Sequence, residues 1–256
     1  MGRVALVTGG GRGIGRAIAT ALGRAAVAVA VAARTREQID ATVSAIRAAG
    51  GAALAVELDV TEAAGVDKAV AQTVAELGPI DVVVNNAGIA ESAPLSRTTP
   101  EMWDRHLRVN VTGPYLVARA TLPGMLERGW GRVINVASMA GLAGAPYVAA
   151  YTASKHALVG LTRALAAEVA GRGVTVNAIC PGFAATDIVW SGARNIAART
   201  GRGFEDAVAA MARLNPGGRL IEPEEVADAV LALIGDAQRN GETVVLDGTA
   251  PTWRNA

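Results

Sequence analysis

Seven short, mostly apolar runs recur along this chain, and each is separated from the next by a longer stretch with apolar positions at helical spacing. The runs are Val4 to Val7, Val27 to Ala32, Ala53 to Val56, Val82 to Asn85, Arg132 to Val136, Thr175 to Ile179 and Thr243 to Leu246. Helical patterns fall at Ile14 to Ala25, Gln38 to Ala49, Val66 to Leu77, Pro100 to Gly124, Ala149 to Gly171 and Pro223 to Ile234. Strands that are apolar along their length must be covered on both faces, as parallel strands joined by crossover helices are. The pattern predicts one α/β domain over residues 1–256, with a doubly wound seven-stranded parallel sheet and helices on both faces. Such sheets bind ligands in the crevice outside the carboxyl ends of their strands.

At 51% hydrophobic and 18% charged residues, the chain has ample material for a core, and intrinsic disorder is excluded. Its 24 basic and 23 acidic residues leave a formal charge of +1 with no Lys/Arg block, which argues against a nucleic-acid partner. The single cysteine, Cys180, suits a reducing compartment. No targeting segment is read at the start of the sequence. The most apolar later stretch, Ala25 to Ala33, is nine residues long, whereas a bilayer span needs about 20. A cytoplasmic protein with no membrane partner is expected. Between Pro181 and Pro216 the regular rhythm loosens into two short helical stretches, and a substrate lid is expected at about residues 183–216.

The first strand runs directly into Thr8-Gly9-Gly10-Gly11-Arg12-Gly13-Ile14-Gly15 and then a helix. Glycine permits a tight turn and close approach of backbone to a pyrophosphate, and a helix N-terminus offers unpaired N–H groups and partial positive charge. Gly9, Gly11, Gly13, Ile14 and Gly15 are therefore candidate dinucleotide contacts. A site for NAD usually carries Asp or Glu at the end of the second strand, where this chain reads Ala32-Ala33-Arg34-Thr35. Arg34 and Arg12 offer bidentate donors to a 2′-phosphate, which points to NADP(H).

Tyr151 and Lys155 stand four residues apart in a helical stretch and so share one face. A cation beside the phenol favours its ionised form, and the spacing leads one to expect a lowered Tyr151 pKa. Ser138 follows the strand Arg132 to Val136, at a carboxyl-end crevice where its hydroxyl could bond a substrate carbonyl. Asn110 is polar within an otherwise apolar helical stretch, and Asn85-Asn86-Ala87-Gly88 closes the fourth strand.

The T-G-x-x-x-G-x-G turn, N-N-A-G, and the set Asn110, Ser138, Tyr151 and Lys155 resemble the short-chain dehydrogenase/reductase family from Thr8 to Gly248. That resemblance implies a Rossmann-type fold and hydride transfer between nicotinamide and a carbonyl or carbinol carbon. Tyr151 would protonate the developing alkoxide, Ser138 orient it, Lys155 hold the nicotinamide ribose, and Asn110 keep a relay water in place. It also implies cofactor contacts from Asp59, Val60, Asn86, Ala87, Gly88, Pro181, Gly182 and Thr186, and a homotetramer. Asp59 has a second reading as a cap for the following helix. The segments Gly182 to Asp187, Asn215 to Arg219 and Glu222 to Ala227 resemble the branch that reduces 3-oxoacyl thioesters and polyketide ketones. Met139, Leu142, Tyr147, Val148, Phe183 and Trp190 are candidate pocket residues, with core or interface packing as the other reading. Alternatives are a broad-specificity ketone or secondary-alcohol dehydrogenase and a silent NADP-sensing protein. The sequence departs from the family where a glycine usually ends the first helix: Ala26 stands there, and a positive φ at that bend would strain it by about 1 kcal/mol.

Overall fold

The computed structural model describes residues 2–254. Eight strands form one sheet in the order β3-β2-β1-β4-β5-β6-β7-β8. They are β1 (Val4–Thr8), β2 (Ala28–Ala33), β3 (Ala53–Glu57), β4 (Val82–Asn85), β5 (Gly131–Val136), β6 (Val174–Pro181), β7 (Thr243–Leu246) and β8 (Thr252–Arg254). The first seven are parallel, as expected. The eighth corrects the expected count, because β8 pairs antiparallel with β7. Three residues after Pro251 carry no apolar alternation to announce a strand. What holds β8 is Trp253, which packs on the central core and lies under the Arg239 guanidinium at 3.9 Å. Asn255 and Ala256 lie outside the described residues.

Alternate strand residues feed two separate cores. Ala5, Val7, Val29, Val31, Val82, Val84 and Ile134 face α1 (Gly13–Arg24), α2 (Arg36–Ala48) and α9 (Pro223–Gly235). Val4, Leu6, Ala30, Ala32, Val83 and Val133 face α3 (Ala63–Leu77), α5 (Gly113–Glu127) and α6 (Ala149–Val169). Each fully buried Val, Leu or Ile contributes about 1.5–3 kcal/mol relative to exposure, so neither face of the sheet can be left open. The strand order reverses between β1 and β4, which places the crevice beyond Thr8 and Asn85.

The stretch Pro100 to Gly124 is not one α-helix. It forms α4 (Pro100–Leu107), a π-helical turn (Arg108–Thr112) and then α5. Pro114 supplies the reason: it lacks the N–H that an α-helix would direct at the Asn110 carbonyl, and its ring would crowd that oxygen. The ladder widens around Asn110 instead. The loosened region after β6 is a hairpin of α7 (Asp187–Thr200) and α8 (Phe204–Ala212). Val189, Ala193, Ala207 and Met211 give it a small core of its own, with Phe183 and Trp190 packed against them. Buried Asn215 ties its two legs together, accepting from Phe183 N–H at 2.9 Å and donating to Phe183 C=O at 3.0 Å and Arg219 C=O at 2.6 Å. Among the described residues, no helix is long and apolar enough to cross a membrane.

Helix α1 closes as the sequence anticipates. Ala26 N–H bonds Gly23 C=O and Val27 N–H bonds Leu22 C=O, at 3.2 and 3.1 Å, with Ala26 at φ 57°. This is a left-handed C-terminal closure built on alanine rather than glycine. Ala26→Gly should stabilise the fold by about 0.5–1 kcal/mol, the relieved strain exceeding the entropy gained by the unfolded chain. Urea denaturation checks this, and a destabilised variant would contradict the strain.

Candidate active site

The glycine turn is a floor of bare backbone. Gly9 and Gly13 adopt φ 64° and 48°, in the left-handed region that excludes most side chains. A Cβ at Gly9 would lie 2.9 Å from Asn86 Nδ2, and one at Gly15 would collide with the Gly9 carbonyl. Asn86 underpins the turn by donating to Thr8 C=O at 3.0 Å and Gly9 C=O at 3.2 Å. Thr8 Oγ1 accepts from Asn86 N–H and Ala87 N–H, both at 3.1 Å. From the opposite wall, the Thr186 methyl would lie 3.3 Å from a Cβ at Gly13. Gly182 ties the end of β6 to Leu246 C=O at 2.8 Å. Helix α1 has no side-chain cap and no acidic residue in its first turn, so its leading N–H groups open toward this cradle. The fit to a pyrophosphate is good on charge and on shape.

The two arginines read as phosphate ligands each stand beside a different carboxylate. Arg12 Nη1 donates to Asp187 Oδ2 at 3.0 Å, and Arg34 Nη1 is 4.0 Å from Asp59 Oδ2. Both pairs are solvent-exposed, where such bridges contribute about 0–1 kcal/mol, so neither guanidinium is committed to its partner. Asp59 does not cap α3, whose N-cap is Glu62. Its Oδ1 accepts from Thr61 N–H at 2.9 Å and Thr61 Oγ1 at 2.8 Å. Partial burial opposes ionisation there, but the Thr61 bonds and the Arg34 charge outweigh it, holding the carboxyl below its ordinary value. Val60 is buried beneath the adjoining turn, against Gly113.

Helix α6 carries Tyr151 and Lys155 to the carboxyl ends of β4 and β5. Lys155 is buried, donates to Val136 C=O at 2.8 Å and lies 5.9 Å from the centre of the Tyr151 ring. A Cβ at Gly88 would meet Asn110 Oδ1 at 3.2 Å and Lys155 Nζ at 3.5 Å, so this glycine keeps open the space where amide and ammonium converge. Ser138 Oγ accepts from Ala140 N–H at 3.1 Å. The Tyr151 pKa departs from the sequence expectation. Burial pushes the phenol above its ordinary 10.0, outweighing the downward pull of its hydrogen bond with Ser138. Lys155 does not reverse this, because burial pushes the ammonium itself down to about 8.

That depression has a stability consequence. In the unfolded chain the amine keeps its proton up to its ordinary 10.5, so between about 8 and 10.5 the unfolded state binds more protons and rising pH favours the fold. Relative to Lys155→Met, the wild-type protein should gain about 2 kcal/mol between about pH 7 and 9.5 in urea denaturation. A constant difference would contradict the burial of a charged amine.

Asn110 is fully buried and its amide is almost fully used. Oδ1 accepts from Ile89 N–H at 2.9 Å, while Nδ2 donates to Ile89 C=O at 3.0 Å and Ser154 Oγ at 2.9 Å. One oxygen lone pair remains. Asn85 lies below the cleft, donating to Asn135 Oδ1 at 2.9 Å.

Of the pocket candidates, Met139, Tyr147 and Val148 lie within the segment between Ser138 and Tyr151. Tyr147 is 67% exposed at φ 66°. Leu142 packs on Ala137 and Leu158, while Phe183 and Trp190 belong to the α7–α8 core, with Trp190 6.4 Å from Phe204. Sequence reasoning missed His106, which is buried and edge-on to Tyr151 at 6.4 Å. Its spacing from Asn110 on one helical face was the available signal.

A glycine cradle at the switch point of a doubly wound sheet, beside a Tyr–Lys pair and a serine, defines a dinucleotide-binding oxidoreductase. The short chain dehydrogenase family model matches residues 3–196, and the chain belongs to that family, whose members use nicotinamide dinucleotides. It is 40% identical over 250 residues to a 3-oxoacyl-[acyl-carrier-protein] reductase of Synechocystis, covering 96% of each chain. It is 38% identical over 247 residues to 2-(S)-hydroxypropyl-CoM dehydrogenase 3 of Xanthobacter autotrophicus, covering 96% of this chain and 95% of the relative. A crystal structure of a variant of actinorhodin polyketide ketoreductase with NADPH superposes with a TM-score of 0.93 at 37% identity, covering 96% of both chains.

Proposed function

We propose that this protein is an NADPH-dependent carbonyl reductase, running reversibly as an alcohol dehydrogenase, whose substrate is a 3-oxoacyl thioester or a polyketide-like ketone. The observation that carries the reading is the convergence of Tyr151, Lys155, Ser138 and Asn110 beside the glycine cradle. The likeness to a 3-oxoacyl reductase and to a ketoreductase crystallised with NADPH supports the substrate class and the cofactor. Arg34, with no acid at the end of β2, supports NADPH over NADH.

When bound, the dinucleotide supplies the hydride. Ser138 bonds the substrate oxygen and orients it. Tyr151 hands its phenolic proton to that oxygen as charge develops, and the upward push on its pKa keeps the proton in place at neutral pH. Lys155, charged below about 8, stabilises the phenolate left behind and binds the ribose. Asn110 fixes the cleft wall through Ile89 and Ser154. Its carbonyl, which Pro114 cannot engage, offers a water site for returning the proton to Tyr151. The α7–α8 hairpin covers the substrate, and the assembly is a homotetramer joined through α5 and α6, where Tyr115 is exposed.

The test is NADPH oxidation near the nicotinamide absorbance band against an acetoacetyl thioester, an aryl ketone, a steroid ketone and a quinone, with NADH in parallel. Turnover of the thioester with NADPH is expected. Turnover of small or aryl ketones alone would favour a broad-specificity ketone or secondary-alcohol dehydrogenase; the name of the hydroxypropyl-CoM relative supports secondary-alcohol chemistry, not breadth. Tight NADPH binding without turnover of any ketone would contradict a reductase and leave a nucleotide sensor.

A further inference from the structure

One buried titratable side chain has no part in the mechanism above. His106 is fully buried and is the single buried residue of α4. Its Nδ1 faces Met102 C=O at 2.8 Å, and its Nε2 faces Glu91 N–H at 3.1 Å. A ring nitrogen facing a carbonyl must carry hydrogen and one facing an N–H must not, so these partners select the neutral Nδ1–H tautomer. The ring also stands edge-on to Tyr151, with centroids 6.4 Å apart and planes at 72°.

The bond to Glu91 is one of four that hold the main chain of an extended strap leaving β4. The Asn110 amide takes both the N–H and the C=O of Ile89. His106 takes the N–H of Glu91, and the Tyr147 carbonyl takes the N–H of Ala93 at 2.8 Å. Alternate residues of the strap are therefore gripped in turn by the π-helical turn, by α4 and by the loop before α6. Tyr147 makes its bond from a backbone conformation, φ 66°, that is costly for a residue with a side chain. Arg105, next to His106, adds a bidentate bridge to the Glu91 carboxylate, with its shortest contacts at 2.8 Å. The strap begins immediately after Gly88, the residue that keeps open the space between Asn110 and Lys155.

We infer that His106 is a positioning residue that sets two parts of the site at once: the strap through Nε2, and the angle of the Tyr151 phenol through its ring. The inference rests on the reading of Tyr151 as proton donor. A displaced strap shifts the wall beside the substrate and is felt as KM for the ketone. A loosened Tyr151 ring misaims the phenol and is felt as kcat.

Two substitutions separate the parts. His106→Gln keeps an acceptor within reach of Glu91 N–H and removes the ring; His106→Phe keeps a ring and removes the acceptor. In ketone reduction, His106→Gln should lose roughly tenfold in kcat with KM near wild type. His106→Phe should raise KM several-fold with kcat nearly retained, and NADPH affinity should be unchanged in both. Parallel losses in both variants that track melting temperature would overturn the inference, as would kinetics unchanged in both. Hydrogen exchange of residues 89–93, read by mass spectrometry, needs no turnover. Protection should persist in His106→Gln and fall in His106→Phe, and equal protection in the two overturns the role of Nε2. If the wild-type protein turned over no ketone but showed this exchange pattern, the strap would stand and the functional reading alone would fail.

Discussion

Tyr151→Phe should lower kcat for ketone reduction by about 10³-fold, within the usual range for a positioned proton donor, while NADPH affinity stays within about twofold. The substitution removes one oxygen whose hydrogen bonding within the protein is to Ser138. The ring keeps its place against His106, and Lys155 keeps its bond to Val136 C=O. Binding and chemistry should therefore separate cleanly. The upward push on the phenol pKa adds a directional expectation. Reduction needs the phenol and should hold its rate through neutral pH, whereas alcohol oxidation needs the phenolate and should rise with pH. Wild-type-like rates for Tyr151→Phe across a pH series would remove Tyr151 from the chemistry.

Arg34→Asp should lower the NADPH/NADH ratio of kcat/KM by about 10²–10³-fold. Charge-assisted bonds to a phosphate contribute about 1.5–3 kcal/mol, and the reversed charge adds repulsion of about another tenfold. A carboxylate at this position can also accept from ribose hydroxyls, which favours NADH directly. The fold should tolerate the change, since the Arg34 side chain is 72% exposed and its closest ion pair spans 4.0 Å. Arg12 makes a useful comparison: because it must leave Asp187 to meet a phosphate, Arg12→Ala should move the ratio in the same direction but less. An unchanged ratio in Arg34→Asp would refute its role as phosphate reader.

Much of this architecture is legible in the sequence because parallel strands covered on both faces have few polar options. Val4 to Val7 and Val82 to Asn85 fall within a residue of β1 and β4 for that reason. Strand β8 escapes notice because three residues, two of them exposed, carry no periodic signal. The helical rhythm from Pro100 to Gly124 conceals the π-helical turn, whose cause is one missing N–H at Pro114 rather than any loss of apolar spacing. The α7–α8 hairpin is foreshadowed only as irregularity, since its core is made within the excursion itself.

At the site, the Tyr151–Lys155 spacing and the glycine turn declare the chemistry. The direction of the Tyr151 pKa does not follow from spacing, because burial belongs to the assembled fold and here outweighs the hydrogen bond with Ser138. The contacts that anchor Asn110 and His106 are hidden for a related reason. Apart from Ser154 Oγ, their hydrogen-bond partners are main-chain groups of Ile89, Glu91 and Met102, which side-chain spacing alone does not name.

The most direct measurement is to follow the transferred hydrogen. NADPH deuterated at the transferring position of nicotinamide C4 would be turned over with the best ketone of the panel, and the product analysed by mass spectrometry and NMR. One deuterium at the carbinol carbon is the predicted result, with the exchangeable hydroxyl proton coming from solvent. Deuterium on a carbon adjacent to an intact carbonyl, or product free of the label, would contradict carbonyl reduction as the reaction of this site.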